Sequence, residues 1–545
     1  PNYITDNMVV QRNSVMKITG HASSGSKVNV IAGWDSRSRE VKADSEGKFD
    51  ISLDTPDAGG PYSIIIADKD SKVKVGNVLS GELWLCSGQS NMEFPVDGWT
   101  SVMDADHVVS TARNPDIRLL QVKKRVAFSP QDDIETNMGG WVEAAPNTMD
   151  FSAIAYLYAK ELRDSLKVPV GVIDATWGGT PAEAWTSYGF LKGVPGFEGE
   201  LSAMESCGFD ASRLRENYEK EMGVWMKLAQ KGGEEIRPGD KLTGNVLPAD
   251  YFERIGFGNG FDGIVWVQKE IDVPAEDAGK PMTLKLGAID DEDVTYLNGV
   301  DFSSLPKKPA SIEGSSYPTV LYNAMIHPLR NLPIKGVLWY QGCANVGRAE
   351  QYETLFKSLI NNWRDTWDSE FPFYFVQLAG WLAPHSVQPD SEWAALRNAQ
   401  SKALQLPNTA MVSAIDLGNP GDIHPRDKQT VAHRLALTAL GRDYGFDTNY
   451  KAPQCISMQK MGNKIVLKFD DDLTATSVAI LGFIIGDADG DFDQAVARMA
   501  DSRTLELYSP LVKKPVCVRY DWADFPNGNL YSRHGIPVAP FATDK

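Results

Sequence analysis

After residue 80 the chain alternates between short apolar segments and longer amphipathic segments, and this alternation restricts its fold more than any other feature. The apolar segments have the length and composition of buried strands: ELWLC (82–86), VPVGVIDAT (168–176), IKGVLWYQ (334–341), FPFYFVQLAG (371–380) and TAMVSAIDL (409–417). The amphipathic segments have helical periodicity: FSAIAYLYAKELRDSLK (151–167), EQYETLFKSLINNWRDTW (350–367) and RDKQTVAHRLALTALGRDY (426–444). This order predicts an α/β domain with a parallel, doubly wound sheet flanked by helices.

Three other parts of the chain are rich in short strand patterns separated by Gly, Asp and Ser turns. The first eighty residues have the pattern of an N-terminal β-sandwich. Residues 250–315 predict an inserted β module, a shortened and jelly-roll-like one, and residues 451–545 predict a C-terminal β domain. The predicted domains are therefore 1–80, 81–249 (first part of the α/β domain), 250–315, 316–450 (its second part) and 451–545.

Charge and cysteine content exclude several classes of partner. With 72 Asp and Glu against 54 Lys and Arg, the net charge of −18 repels phosphate backbones, so we expect no nucleic-acid partner. No apolar run is long enough to cross a bilayer, so we expect no membrane insertion. The five cysteines are scattered without metal-ligand spacing, and we expect no metal site. Because the chain begins abruptly at Pro1, as a processed mature protein does, we expect a secreted or periplasmic protein; its oligomeric state is not predicted.

Polar residues suited to acyl transfer follow four of the predicted strands. In chain order they are Ser90, the pair Gly178 and Gly179, Gln341, and His424. Because the carboxyl ends of parallel strands meet at one edge of a sheet, we expect these residues to lie close together. A serine, a histidine and hydrogen-bond donors are the components of a covalent acyl-transfer site.

The chemistry assigns roles to Ser90, to His424 and to the nearby Asp422. A serine hydroxyl is a weak nucleophile until a base removes its proton, so we predict Ser90 as the nucleophile and His424 as the base. Asp422, two residues before the histidine, is predicted to orient the imidazole and stabilise its protonated form. Such a mechanism requires neither a metal nor an organic cofactor.

The tetrahedral intermediate also needs donors for its oxyanion. The candidates are the backbone N–H of Ser90, an N–H from Gly178 or Gly179, and the side-chain amide of Gln341. Glycine suits such a position because no side chain blocks the approach of the substrate. Amide side chains beside these residues are predicted to bind substrate: Gln89, Asn91 and Asn345.

Longer motifs in the chain resemble a known enzyme family. GELWLCSGQSNMEFPV, TWGGTPAEAW, TVLYNAMIHPL, GVLWYQG and DIHP are similar to motifs of the sialate O-acetylesterase family, which are SGNH-type carbohydrate esterases. The likeness extends from ITDNMVVQR near the start to PVAPFATD near the end. It implies a serine esterase that removes acetyl groups from sugar hydroxyls, with a β-sandwich inserted into its α/β domain. It also implies Ser90 as nucleophile, His424 as base, and Gly179 and Gln341 in the oxyanion hole.

One motif departs from the family pattern and leaves alternatives open. The family usually continues YQGES, whereas this chain has Cys343 at the position of the glutamate. Asp422 alone would then serve His424, or activity or specificity would differ from that of the family. The main hypothesis is hydrolysis of O-acetylated sialic acids. The alternatives are an esterase for plant polysaccharide acetates such as xylan or mannan, and a carbohydrate-binding protein on a degenerate esterase scaffold.

Overall fold

The computed structural model describes residues 1–231, the backbone of 296–297 and 300–301, residue 312 and residues 314–544, with side chains described to residue 224 in the first stretch. The chain divides into two compact units, Pro1–Ala211 together with Glu313–Lys545, and Ser212–Ile312. Within the second unit, strands β11 (Tyr296–Leu297) and β12 (Val300–Asp301) pair antiparallel. The rest of the predicted inserted module, up to residue 311, lies outside the described residues.

A central sheet of mainly parallel strands occupies the first unit. Its main strand order is β15-β14-β13-β7-β10-β8-β9, and along this path all neighbours are parallel except β8 and β9. The strands are β7 (Lys72–Gly88), β8 (Asn114–Gln121), β9 (Val142–Ala144), β10 (Val170–Thr176), β13 (Gly336–Tyr340), β14 (Phe373–Gln377) and β15 (Thr409–Ser413). All residues of β10, β13 and β14 are buried, as expected of parallel strands covered on both faces. The predicted α/β class is confirmed.

Helices flank this sheet where the apolar periodicity predicted them. The predicted helices 151–167, 350–367 and 426–444 correspond to α3, α7 and α9. The described helices of the first unit are α1 (Ser90–Glu93), α2 (Ala105–Ser110), α3 (Ala153–Leu166), α4 (Tyr188–Leu191), α5 (Glu198–Ser206), α7 (Ala349–Trp367), α8 (Glu392–Ser401) and α9 (Lys428–Asp443). Helix α6 (Ala211–Lys231) belongs to the second unit from its second residue onward. Helix α3 packs against α9, and α7 packs against α8. None of the described helices is long and apolar enough to span a bilayer.

Strand β7 joins the N-terminal strands to the central sheet. Its first half pairs with β6 and β1, and its second half pairs with β10 and β13. Residue 80, the predicted domain boundary, lies within this continuous strand. The N-terminal strands are β1 (Val9–Gln11), β2 (Val15–His21), β3 (Lys27–Ala32), β4 (Ser38–Lys42), β5 (Lys48–Asp54) and β6 (Gly59–Ala67), with β2 and β5 forming a separate pair.

The C-terminal region consists of two four-stranded antiparallel sheets and a short strand pair around a common apolar core. The sheet orders are β16-β17-β22-β21 and β20-β19-β23-β25, and β18 pairs with β24. The strands are β16 (Cys455–Met461), β17 (Lys464–Phe469), β18 (Leu473–Ala475), β19 (Phe483–Gly486), β20 (Phe492–Gln494), β21 (Val496–Asp501), β22 (Thr504–Tyr508), β23 (Cys517–Tyr520), β24 (Leu530–Ser532) and β25 (Phe541–Ala542). The segment DADGDFD (487–493) forms the hairpin connection from β19 into β20.

The topology reverses between β7 and β13. From β7 the chain first builds the β10 and β8 side of the sheet, and it then crosses to β13 and continues outward to β14 and β15. Ligands of open α/β sheets bind outside the carboxyl ends of the strands at such a reversal. Here the reversal lies between the strands that end at Gly88 and Tyr340, directly before Ser90 and Gln341.

Gly88 is the residue that allows these two strand ends to meet. Its φ of +136° is a conformation that side chains rarely adopt, and a Cβ at this position would overlap the carbonyl group of Tyr340. Gln89 N–H then donates to that same carbonyl at 3.1 Å. The turn that carries Ser90 is thereby held against the end of β13.

We predict that Gly88→Ala lowers the thermal unfolding midpoint and also impairs the site, since the added methyl must displace the backbone of Tyr340. Overpacking of this kind costs about 1–3 kcal/mol. Calorimetry and p-nitrophenyl acetate hydrolysis measure the two effects. The matched control is Gly199→Ala in α5, where no atom lies within 4 Å of the added carbon, so neither property should fall. Equal midpoints for the Gly88→Ala variant and the parent protein would contradict the assigned close contact.

Candidate active site

Ser90 and His424 are brought together although 334 residues separate them in sequence. Ser90 is the first residue of α1, immediately after β7, and His424 lies in the loop between β15 and α9. The distance between Ser90 Oγ and His424 Nε2 is 2.8 Å. This is a hydrogen-bond distance between a hydroxyl and an imidazole, the arrangement needed for proton removal from serine.

The surroundings of His424 favour its neutral form while keeping a carboxylate near. Burial lowers the pKa of the imidazole below its usual value, and the neighbouring Lys428 cation lowers it further. Asp422 has the opposite effect and raises the pKa of His424. Its Oδ1 lies 3.4 Å from His424 Nδ1 and accepts the backbone N–H of His424 at 2.9 Å. The ring of Trp99, which is 57% exposed, meets the imidazole edge-on at 5.7 Å.

A buried clamp holds the loop that carries His424. Asn91, next to Ser90, donates from Nδ2 to the carbonyl of Ile423 at 3.0 Å, and its Oδ1 accepts from Lys428 Nζ at 2.6 Å. Lys428 is 1% exposed, and its ammonium lies over the rings of Phe94 and Tyr340. Asn91, predicted as a substrate ligand, thus uses both ends of its side-chain amide within the protein.

The glycine pair after β10 presents two different N–H groups. The N–H of Gly178 donates to Glu93 Oε2 at 2.6 Å and is therefore occupied by a carboxylate. Gly179 has φ of +73° and open space where a Cβ would lie. Among residues 1–231 and 314–544, no backbone or side-chain acceptor bonds the N–H of Gly179 or that of Ser90. Of the predicted backbone donors, Ser90 and Gly179 thus have N–H groups free to bind a ligand.

The predicted donor Gln341 is fully buried beneath the site. Its Nε2 donates to the carbonyl of Thr180 at 3.2 Å and to Asn345 Oδ1 at 2.7 Å, and its Oε1 accepts from the Tyr352 hydroxyl at 3.0 Å. Asn345 in turn donates to Glu183 at 2.9 Å. Both hydrogens of the Gln341 amide are therefore used inside the protein, as is the side chain of Asn345.

Gln89 joins the same buried framework. Its Oε1 accepts the backbone N–H of Gly342 at 3.0 Å and that of Ala344 at 3.3 Å, which ties the turn after β7 to the turn after β13. Gln89 is 3% exposed. The three predicted substrate ligands, Gln89, Asn91 and Asn345, lie around the site with their amides bonded to protein groups.

Cys343 lies in the short helical turn after Gly342. Burial raises the pKa of its thiol to about 12, so the sulfur is a protonated thiol at neutral pH. A thiol is a poor nucleophile compared with a thiolate. Ser90, with its bound imidazole, is the nucleophile candidate that the geometry favours. Among the residues that the structure describes, no three His, Cys, Asp or Glu side chains are grouped as metal ligands.

Three charged residues at the site were not found from the sequence: Glu93, Lys124 and Lys428. Glu93 lies three residues after Ser90, one turn away on α1, and this spacing is the one sequence signal that could have marked it. Lys124 follows β8, and Lys428 is the first residue of α9. Their positions depend on contacts across strands that no local pattern records.

We predict that Lys428 makes stability depend on pH. Burial lowers the pKa of its ammonium from 10.5 to about 7 in the folded protein, so between pH 7 and 10 the unfolded chain binds the additional proton. Stability rises with pH wherever the unfolded state binds more protons. In thermal scans, the unfolding midpoint of the parent protein should therefore rise relative to that of the Lys428→Met variant as the pH increases from 7 to 10. With the exposed Lys69→Met as control, the corresponding difference should stay constant; a flat difference for Lys428→Met would contradict the prediction.

Comparisons with known proteins find similarity to carbohydrate esterases. A family model described as "Carbohydrate esterase, sialic acid-specific acetylesterase" matches residues 309–440. Sialate O-acetylesterases of Mus musculus and Homo sapiens are each 28% identical to the chain, over 477 and 480 residues. The alignments cover 82% of this chain, 73% of the mouse protein and 71% of the human protein.

A solved structure extends the similarity to the whole chain. The crystal structure of a carbohydrate acetylesterase from Xanthomonas citri is 30% identical, with a TM-score of 0.74. The match covers 100% of this chain and 99% of that one. With the family model and the mammalian relatives, this likeness shows that the chain belongs to the sialate O-acetylesterase family of carbohydrate esterases, which are carboxylic ester hydrolases.

Proposed function

We propose that this protein hydrolyses O-acetyl esters on carbohydrates, most specifically on O-acetylated sialic acids, through an acetyl-serine intermediate. The observation that carries the proposal is the 2.8 Å distance between Ser90 Oγ and His424 Nε2 at the topological reversal of the sheet. The names of the mammalian relatives support sialic acid as the acetylated sugar. The arrangement also supports the finer assignment of the α/β domain as SGNH-hydrolase-like.

In the first half-reaction, His424 Nε2 takes the hydroxyl proton as Ser90 Oγ attacks the acetyl carbonyl carbon. The resulting oxyanion is bound by the N–H groups of Ser90 and Gly179, which lack acceptors in the described chain. Collapse of the tetrahedral intermediate breaks the bond to the sugar oxygen, and the imidazolium of His424 protonates that oxygen. The sugar alcohol leaves, and the acetyl group remains on Ser90.

In the second half-reaction a water molecule replaces the sugar. His424 removes a proton from this water, and the oxygen attacks the acetyl-serine carbonyl. Collapse then releases acetate and returns the proton to Ser90 Oγ. Asp422 assists both halves, since a carboxylate 3.4 Å from Nδ1 stabilises the imidazolium form of His424.

The buried amides have a supporting role in this proposal. Gln341 and Asn345 bond to each other and to the protein, and Gln89 and Asn91 brace the strand-end turns. They hold the side chains of Ser90 and His424 in position. This matters because a displacement of about 1 Å at such a site lowers the rate roughly a hundredfold. We therefore assign the oxyanion to backbone N–H groups and the four amides to positioning.

Experiment can distinguish two alternative functions from the main proposal. Esterases for xylan or mannan acetates would use the same serine and histidine, because the sugar contacts lie outside the acyl-transfer chemistry. A carbohydrate-binding protein on a degenerate scaffold would bind sugar without ester turnover, and the intact Ser90–His424 contact argues against it. The secreted or periplasmic location expected from the sequence stays a prediction.

We predict that Ser90→Ala abolishes hydrolysis of p-nitrophenyl acetate while the circular dichroism spectrum and thermal midpoint are retained, because only the nucleophilic oxygen is lost. Ser110→Ala, an exposed serine at the end of α2, serves as the matched control and should keep full activity. Turnover by Ser90→Ala at the parental rate would refute the serine mechanism. Acetate release by the parent enzyme from O-acetylated sialic acids, acetylxylan and acetylated mannan then identifies the substrate, and we expect the sialic acids to be preferred.

We also predict that the acid limb of kcat/KM lies below pH 6.5, because burial lowers the pKa of His424 and the base must be neutral. Asp422→Asn removes a charge that raises this pKa. The limb should therefore move to lower pH while the plateau falls, since the imidazolium loses its stabilising carboxylate. The exposed Asp70→Asn is the control for a change of net charge alone. A limb that stays in place in Asp422→Asn would show that another group orients His424.

A further inference from the structure

The carboxylate of Glu93 divides its two oxygens between a backbone N–H and a lysine. Glu93 Oε2 accepts the N–H of Gly178 at 2.6 Å, and Oε1 accepts from Lys124 Nζ at 2.5 Å. The Glu93 side chain is only 16% exposed. Because Glu93 lies three residues after Ser90 on the four-residue helix α1, this carboxylate links the nucleophile's helix directly to the glycine turn after β10.

Besides the bonds that Gln341 and Trp185 donate to Thr180, three hydrogen bonds hold the glycine turn, residues 177–180. Trp177 N–H donates to the Gly88 carbonyl at 3.1 Å, and Thr180 Oγ1 donates back to the Trp177 carbonyl at 2.7 Å. The bond from Gly178 to Glu93 is the third. Gly178 also lies against Ser90, since a Cβ on this glycine would be 3.2 Å from Ser90 Cβ. With these bonds made, the N–H groups of Gly179 and Thr180 are left without an acceptor in the described chain; Thr180 is fully buried, whereas Gly179 is exposed.

We propose that Glu93 is a positioning residue for the oxyanion hole: by binding the Gly178 N–H it fixes the glycine turn so that the Gly179 N–H serves the oxyanion together with that of Ser90. Lys124 neutralises the charge of the Glu93 carboxylate. The inference rests on the proposed function of Ser90. It names Gly179, not Gly178, as the second backbone donor.

The position of Lys124 beside Glu93 has an electrostatic explanation. A carboxylate beside the site repels the negative charge that develops on the substrate oxygen, and such repulsion is strong in a partly buried environment. The charge of Glu93 affects its neighbour Asp174, whose pKa is raised to about 7 chiefly by burial and in smaller part by Glu93. Lys124 opposes that effect at Asp174. The Gly178 N–H needs an acceptor, and Glu93 supplies it. The negative charge of Glu93 would repel the oxyanion unless Lys124 neutralised it.

This division of roles leads to a distinctive set of kinetic outcomes. Glu93→Ala removes the acceptor and should lower kcat for p-nitrophenyl acetate by about 10- to 100-fold with KM little changed, because a displaced donor affects the transition state more than substrate binding. Glu93→Gln keeps an acceptor oxygen, and its kcat should stay within about threefold of the parent. Rescue by glutamine is not expected if Glu93 merely contributes a charge.

The lysine is tested in both backgrounds. Lys124→Met should lower kcat by about tenfold when residue 93 is a carboxylate, yet have no further effect in Glu93→Gln, where no charge needs neutralising. Lys123→Met is the matched control, because this adjacent lysine pairs with Glu135 at 2.8 Å and should leave kcat unchanged. An equal loss from Lys124→Met in the two backgrounds would overturn the charge-balance role.

Failure of this inference is distinguishable from failure of the proposed function. If Ser90→Ala keeps activity, the serine mechanism itself is wrong. If Ser90→Ala is inactive but Glu93→Ala turns over at the parental rate, the serine mechanism stands and the positioning role of Glu93 is overturned. Thermal midpoints of all variants identify any loss that comes from unfolding, and the folded Glu93→Gln protein provides the comparison if Glu93→Ala does not fold.

Discussion

The meeting of β7 and β13 at their carboxyl ends is the constraint on which the site depends. Gly88 lets the two backbones approach, and the Gln89 side chain and main chain then bond to the end of β13 and its following turn. Helix α1 begins with Ser90 at this point, so residues that follow strands on either side of β7 can reach the serine. His424 comes from the β13 side, and the glycine turn comes from the β10 side. The hydrogen-bonded sheet thus fixes the distances that the chemistry requires.

The polar groups beneath the site are largely bonded to one another, and this determines which donors are left for a substrate. An unsatisfied buried amide costs about 1–3 kcal/mol, so Gln341, Asn345 and Asn91 are held in contacts within the protein. The N–H groups of Ser90 and Gly179 have no such bonds in the described chain. Preorganised backbone donors need no rearrangement during the reaction, which is why they suit an oxyanion better than a mobile side chain.

The sequence predicted the elements and the proximity of Ser90 to His424, but not the contacts that hold them. Strand and helix periodicities are local, so the parallel sheet, α3, α7 and α9 could be recognised. Ser90 and His424 could be named because each follows a strand and carries a distinctive chemical group. Whether an amide faces the substrate or the protein depends on partners far along the chain, as for Asn91 and Ile423, which are 332 residues apart. For this reason Gln89, Asn91 and Asn345 were predicted as substrate ligands and Gln341 as an oxyanion donor, whereas in the structure their amides bond to protein groups.

Cys343 stands where the similar family motif has a glutamate, and the contacts from Lys428 through Asn91 to the His424 loop are made without that carboxylate. A cation at the first residue of a helix lies at the unfavourable end of the helix dipole, and here it is also buried. The lowered pKa of Lys428 allows the side chain to lose its proton near neutrality, and the faces of Phe94 and Tyr340 stabilise it when charged. An amine donates to Asn91 Oδ1 in either protonation state. The clamp from Lys428 through Asn91 to the His424 loop therefore does not require the missing carboxylate, and the reacting pair keeps its geometry without it.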